Sequence, residues 1–162
     1  MANETTWTED SPTTVVSVAA NMTNGQVAGN TAMLDNSTNK RTRAMATLFV
    51  NAFGSAPTAE TVFELWMTRL DVDGTADDTA GGSVTSTPSS PSNGFASSQG
   101  AELVAVFPVA QTTSAQRITR EIQFDRVSKA NFFVRNQTGV TANAGSGTEL
   151  TVKVTPFTPG TA

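Results

Sequence analysis

The densest group of chemically active side chains is Asp71, Asp73, Asp77 and Asp78, in the run DVDGTADD. Clustered carboxylates in a glycine-containing turn carry the oxygen ligands that Ca²⁺ takes. The spacing is not that of an EF-hand: counting from Asp71, Gly74 stands fourth, Thr75 fifth and Gly82 twelfth. A solvated acidic turn, held by the local backbone hydrogen bonds that Asp favours, is the simpler assignment. A second possible chemistry is glycoside hydrolysis by a carboxylate pair, Glu60 with Glu64 or Glu64 with Glu102. Nothing in the spacing sets either pair at the required separation, so these read as exposed strand carboxylates. Trp7 and Trp66 are possible sugar-stacking platforms. Trp66 sits among Phe63, Leu65 and Met67 and is expected in the core. Trp7 lies in a polar segment with no local core, which suits an anchor onto a neighbouring subunit. Phe95, isolated in a Ser/Gly/Pro-rich stretch, is the other candidate contact with a subunit or capsid.

What is missing narrows the chemistry further. Cys, His and Tyr are all absent. Without Cys there is no disulfide framework, thiolate metal site or cysteine nucleophile. Without His the commonest general base and the Ser-His-Asp triad are gone. Gly145-Ser146-Gly147 has no Lys after it and precedes a strand, so it is a turn and not a phosphate loop. No catalytic residue, no metal and no cofactor is expected, and the chain does not read as an enzyme. Four Asn-X-Thr matches begin at Asn3, Asn21, Asn36 and Asn136, which abundant Asn and Thr make unsurprising.

Charge argues against nucleic acid as a partner. The net charge is −4, and Lys40-Arg41-Thr42-Arg43 is too short for a binding patch. The distribution is uneven: residues 1–81 sum to −6 and residues 82–162 to +2. Such asymmetry suits head-to-side association of like subunits. No apolar run reaches the roughly 18 residues of a membrane span. Met1 to Thr14 has neither the basic nor the apolar region of a signal peptide, so synthesis in a cytosol is expected.

The elements that must position these residues are short strands. Charged residues are only 15% of the 162 and Thr is about one residue in six. Apolar runs cover Thr13 to Ala19, Ala44 to Phe53, Thr61 to Leu70, Glu102 to Ala110, Arg117 to Phe124, Asn131 to Asn136 and Thr148 to Thr155. In the last, Leu150, Val152 and Val154 alternate with Glu149, Thr151 and Lys153, the period of a half-buried strand. Ile118, Ile122 and Phe124 likewise share a face opposite Arg117, Thr119, Glu121 and Gln123. Leu48 and Val50 are expected to face away from Phe49 and Phe53. The segment Val62 to Leu70 also fits helical spacing, but the turn at Asp71 to Gly74 favours a strand. A weaker strand is expected at Val27 to Leu34.

Seven or eight strands and no long helix predict an all-β antiparallel sandwich, a jelly roll if eight strands divide between two sheets. Residues 1–12 read as an extended arm, 13–157 as one sandwich domain, and 158–162 as a tail. Within the domain, residues 79–100 form a long Ser/Gly/Pro-rich loop.

Certain signatures recur in a specific order. The turn Asp35-Asn36-Ser37-Thr38-Asn39 precedes an alternating strand. Ala56-Pro57-Thr58-Ala59 leads into TVFELWM and an Asp/Gly turn. AELVAVFPV follows, then Gln116-Arg117 opening a strand, then NFFVRNQTGV before a closing strand. Over roughly residues 35–155 this order resembles small β-sandwich structural proteins of tailed-bacteriophage virions, especially those that decorate or cement the head. The resemblance implies a non-enzymatic virion component, binding the major capsid protein or other virion proteins, with a homotrimer as the usual geometry. It carries no catalytic residue. The alternatives are a collar, tail or fibre-base protein of the virion, and a carbohydrate-binding module.

Overall fold

The computed structural model describes residues 7–29, 31–70, 101–123, 127–142 and 150–159. Ten strands run through them: β1 (Thr8–Glu9), β2 (Thr13–Val18), β3 (Val27–Gly29), β4 (Leu34–Asp35), β5 (Arg43–Val50), β6 (Val62–Leu70), β7 (Glu102–Pro108), β8 (Gln116–Gln123), β9 (Lys129–Gln137) and β10 (Leu150–Thr158). They form two antiparallel sheets packed face to face, a β-sandwich. The segment with both helical and strand spacing is the strand β6.

The first sheet runs β10-β5-β8, with β1 and β2 end to end along the outer side of β10. The second runs β9-β6-β7, with β3 and β4 end to end along β9. Each sheet is thus four ranks deep, and the antiparallel pairs are nested. The first rank pairs with the last (β2 with β10), the second with the second-last (β3 with β9). Inside them β5 pairs with β8, and β6 with β7.

Alternation fills the space between the sheets. From the first sheet Val16, Val18, Ala44, Ala46, Leu48, Val50, Val152 and Val154 point inward, each fully buried. From the second come Phe63, Leu65, Met67, Phe107, Phe132 and Val134. The first sheet supplies mainly small and β-branched side chains and the second mainly large ones, a pairing of sizes suited to close packing. Each large side chain contributes about 1.5–3 kcal/mol through burial.

Three expectations need correction or refinement. Phe53 does not share the outer face with Phe49. The strand ends at Val50, the chain turns inward, and Phe53 is buried against Phe63 with its backbone N–H donating to the Thr113 carbonyl at 3.1 Å. The strand expected over Val27 to Leu34 is two short pieces, β3 and β4. Residues 8–9, placed in the N-terminal arm, pair with Phe157 and Thr158 as β1.

The sheet margins are protected differently. β8 presents Arg117, Arg120 and Glu121, all exposed. β7 carries a register irregularity opposite Leu65 and Trp66 and ends in the exposed Pro108. On β6, Thr68 is 4% exposed and its hydroxyl has no hydrogen-bond partner among the described residues. Thr68→Val keeps the shape and removes the desolvated hydroxyl, so it is expected to stabilise the fold by about 1–2 kcal/mol. A urea titration with a raised midpoint and unchanged slope would show it.

Candidate interaction surfaces

The outer face of the first sheet is built by the alternate residues of three neighbouring strands. β5 supplies Arg43, Met45, Thr47 and Phe49, and β10 supplies Thr151, Lys153, Thr155 and Phe157. β8 supplies Arg117, Thr119, Glu121 and Gln123. Arg43 Nη1 lies 2.8 Å from Glu121 Oε1, and the Thr47 and Thr119 hydroxyls are 3.0 Å apart. The Arg117 guanidinium sits 5.8 Å over the Phe49 ring. Such a cation–π contact leaves the charge uncompensated. Among the described residues Arg117, Arg120 and Lys153 make no ion pair.

Trp7 lies on this same face. Its ring is 5.1 Å from that of Phe157, and Trp7 remains 56% exposed while Phe157 is 1% exposed. The indole therefore covers its own domain on one side and offers the other to solvent. Phe95, the second candidate contact, lies outside the described residues, as do Asp71, Asp73, Asp77 and Asp78.

Trp66 is not in the core. Phe63, Leu65 and Met67 point inward along β6, so the even-numbered Trp66 points outward. There it packs with Val27 and Phe133, half-buried. Its Nε1 donates to Glu64 Oε2 at 3.1 Å, and Arg135 Nη1 is 3.9 Å from the same oxygen. Exposed Leu103 and Val106 of β7 extend this apolar outer face of the second sheet. The candidate carboxylate pairs find separate partners: Glu64 takes Trp66 and Arg135, while Glu102 takes Arg69 at 2.9 Å. Glu60 is exposed in the turn before β6, with φ of 62°.

Two of the Asn-X-Thr asparagines are buried. Asn36 is 2% exposed: its Nδ2 donates to the Arg41 and Val127 carbonyls, each at 2.9 Å. Its Oδ1 accepts from the Arg41 N–H at 2.8 Å. Asn136 is fully buried in an equivalent role. Neither amide is open to a glycosyl donor. Asn21 is exposed and Asn3 lies outside the described residues.

Beside the Asn36 turn, Asp10 Oδ1 accepts from Arg41 Nη2 at 2.8 Å, Arg41 Nε at 3.1 Å and Asn39 Nδ2 at 2.9 Å. The Arg41 hydrogen bonds hold the Asp10 carboxyl below its usual 3.8, against the opposing effect of burial. The Ser37 hydroxyl and N–H do the same for Asp35. Both folded-state values lie below the unfolded ones, so their stabilisation is fully present above about pH 4 and is lost as pH falls through the folded values. Thermal melts in acid should show a smaller loss of stability for Asp10→Asn than for the parent chain.

The sequence contained part of these surfaces. The polar face of Arg117, Thr119 and Glu121 followed from alternation, but its junction with Lys153, Arg43 and Trp7 required the strand order. No protein-family model matches this sequence, and no curated protein matches it.

Proposed function

We propose that this chain is a non-enzymatic structural protein of a tailed-bacteriophage virion. Its most specific form is a homotrimeric decoration or cement protein that binds the outer surface of the major capsid protein and stabilises the shell. The observation that carries the reading is the nested pairing of first rank with last and so on inward, alternating between two sheets. A chain paired in that way is one long hairpin rolled on itself, a jelly roll, an architecture widely used in viral capsids and lectins.

The surfaces support the same role. Recognition groups lie on broad sheet faces: Trp7 and Met45 are exposed on one sheet, Leu103 and Val106 on the other. Such flat faces suit macromolecular contact, in which a few aromatic and Arg anchors carry most of the energy.

The test is immunogold electron microscopy of source particles, paired with co-sedimentation of recombinant protein with undecorated capsids. Gold over the heads and saturable binding are the expected results. Gold confined to a vertex or the tail would move the protein to the collar, tail or fibre base. Unlabelled intact particles and no co-sedimentation would overturn the virion reading. The outward placement of Trp66 on the second sheet, with Trp7 exposed on the first, favours a carbohydrate-binding module as the second reading. A glycan array without hits would remove it.

A further inference from the structure

The charge of this molecule is segregated. The described residues hold nine Lys and Arg against seven Asp and Glu, net +2. The rest of the sequence holds one Arg and seven acids, net −6, and four of those acids fall within residues 71–78. On the outer face of the first sheet Arg117 and Lys153 make no ion pair among the described residues, and the same face bears the exposed indole of Trp7. Arg120, also exposed on β8, alternates to the other side of that edge strand.

From this we infer that the outer face of the first sheet is a self-association surface, occupied by a second copy whose acidic stretch at residues 71–78 supplies the counter-charge. Charge complementarity argues for the occupant. A face with two cations that make no ion pair among the described residues favours an anionic partner, and the chain carries an acid-rich stretch of its own at residues 71–78. The order of the sequence argues for a head-to-side contact. The acidic stretch follows Leu70, the last residue of β6 in the second sheet, whereas the basic face belongs to the first. The two halves of the contact come from different parts of the chain, so the interface is heterologous, a type that makes a ring when the rotation between copies closes. Trp7 supplies the apolar anchor and the charges set orientation and salt dependence. The inference rests on the self-assembling subunit proposed above, but not on what that assembly binds.

The experiment is sedimentation velocity on the full chain at about 50 mM and about 500 mM salt, where screening lengths differ about threefold. The wild type should associate at low salt and loosen by about tenfold or more at high salt. The double variant Arg117→Glu/Lys153→Glu should be monomeric under both conditions, with an unchanged circular dichroism spectrum. Arg117→Gln/Lys153→Gln, a milder change, should weaken association by about tenfold, the equivalent of 1.4 kcal/mol. A chain with Asp71, Asp73, Asp77 and Asp78 all changed to Lys should also be monomeric. Mixing it with the Glu double variant should restore a complex containing both chains. A wild type that stays monomeric, an association unmoved by either double variant, or a mixture that stays monomeric would each overturn the inference. Capsid co-sedimentation of the same variants is read separately. A ring that forms but ignores capsids would keep this surface and overturn the virion role.

Discussion

Asn136→Ala is expected to cost about 3–4 kcal/mol and lower the melting temperature by about 10 °C, a large share of the 5–15 kcal/mol available to a domain. Asn136 is fully buried in β9 and uses its whole amide. Nδ2 donates to the carbonyls of Met22 at 2.8 Å and Val140 at 2.9 Å. Oδ1 accepts from the Thr138 N–H at 2.9 Å and the Thr138 hydroxyl at 2.6 Å. Truncation leaves the acceptors partly served: Met22 still takes the Ala142 N–H at 3.0 Å, and Val140 still takes the Thr138 hydroxyl at 3.1 Å. The buried Thr138 N–H loses its partner outright, and a cavity opens beside it. Asn136→Asp separates these contributions. It keeps the acceptor and the shape but points a carboxylate oxygen at two carbonyls. At neutral pH it should cost at least as much as the Ala variant. Its folded-state pKa is raised, so its deficit should shrink as pH falls and the carboxyl protonates. Denaturant titrations of both variants at neutral and acid pH would check the pair. Equal stability of wild type and Asn136→Ala would mean that the turn after β9 closes without the amide.

How far the sequence foretold this molecule follows from the range of each determinant. Period-two alternation is local, so the seven main strands were legible, most with ends displaced by only one to three residues. The same alternation, applied strictly, puts Trp66 outside, because Phe63, Leu65 and Met67 occupy the inward positions. Judging Trp66 by its apolar neighbours, not by its parity, is what misplaced it. Phe53 failed for the opposite reason: parity was carried past Val50, where the strand ends. The role of Asn136 was illegible, since its amide joins a residue 114 positions away. Strand order belongs to the same class. Nothing local shows that β2 lies against β10, or that Arg117, Lys153 and Trp7 share a face. The β1 pairing was hidden because two residues flanked by polar sequence carry no periodicity.

Gly29→Ala should cost about 2–3 kcal/mol, through crowding that no side-chain rotation relieves. Gly29 lies in β3, opposite Phe133 of β9. A methyl group there would sit 2.5 Å from the Phe132 carbonyl oxygen, 2.5 Å from Phe133 Cδ1 and 2.8 Å from Phe133 Cα. Two of those three atoms are backbone, so the strands themselves must part. β3 has three residues and, among the described residues, is followed along β9 by the two-residue β4, so the margin of the second sheet is where the separation concentrates. The consequence reaches the outer face. Val27 and Phe133 form the small cluster against which Trp66 packs, and both belong to the strands being forced apart. Only two tryptophans exist, and Trp7 sits on the other sheet against Phe157. In a Trp7→Phe background the fluorescence reports Trp66 alone. Gly29→Ala should then shift its emission to the red, because the indole gains water as Phe133 moves. Gly29→Val should shift it further and lower the urea midpoint more, since β-branching adds bulk at the same backbone contact. A stable Gly29→Ala protein with unshifted Trp66 emission would mean that β3 and β9 yield without disturbing the outer face. It would also remove the steric reason for glycine at this position.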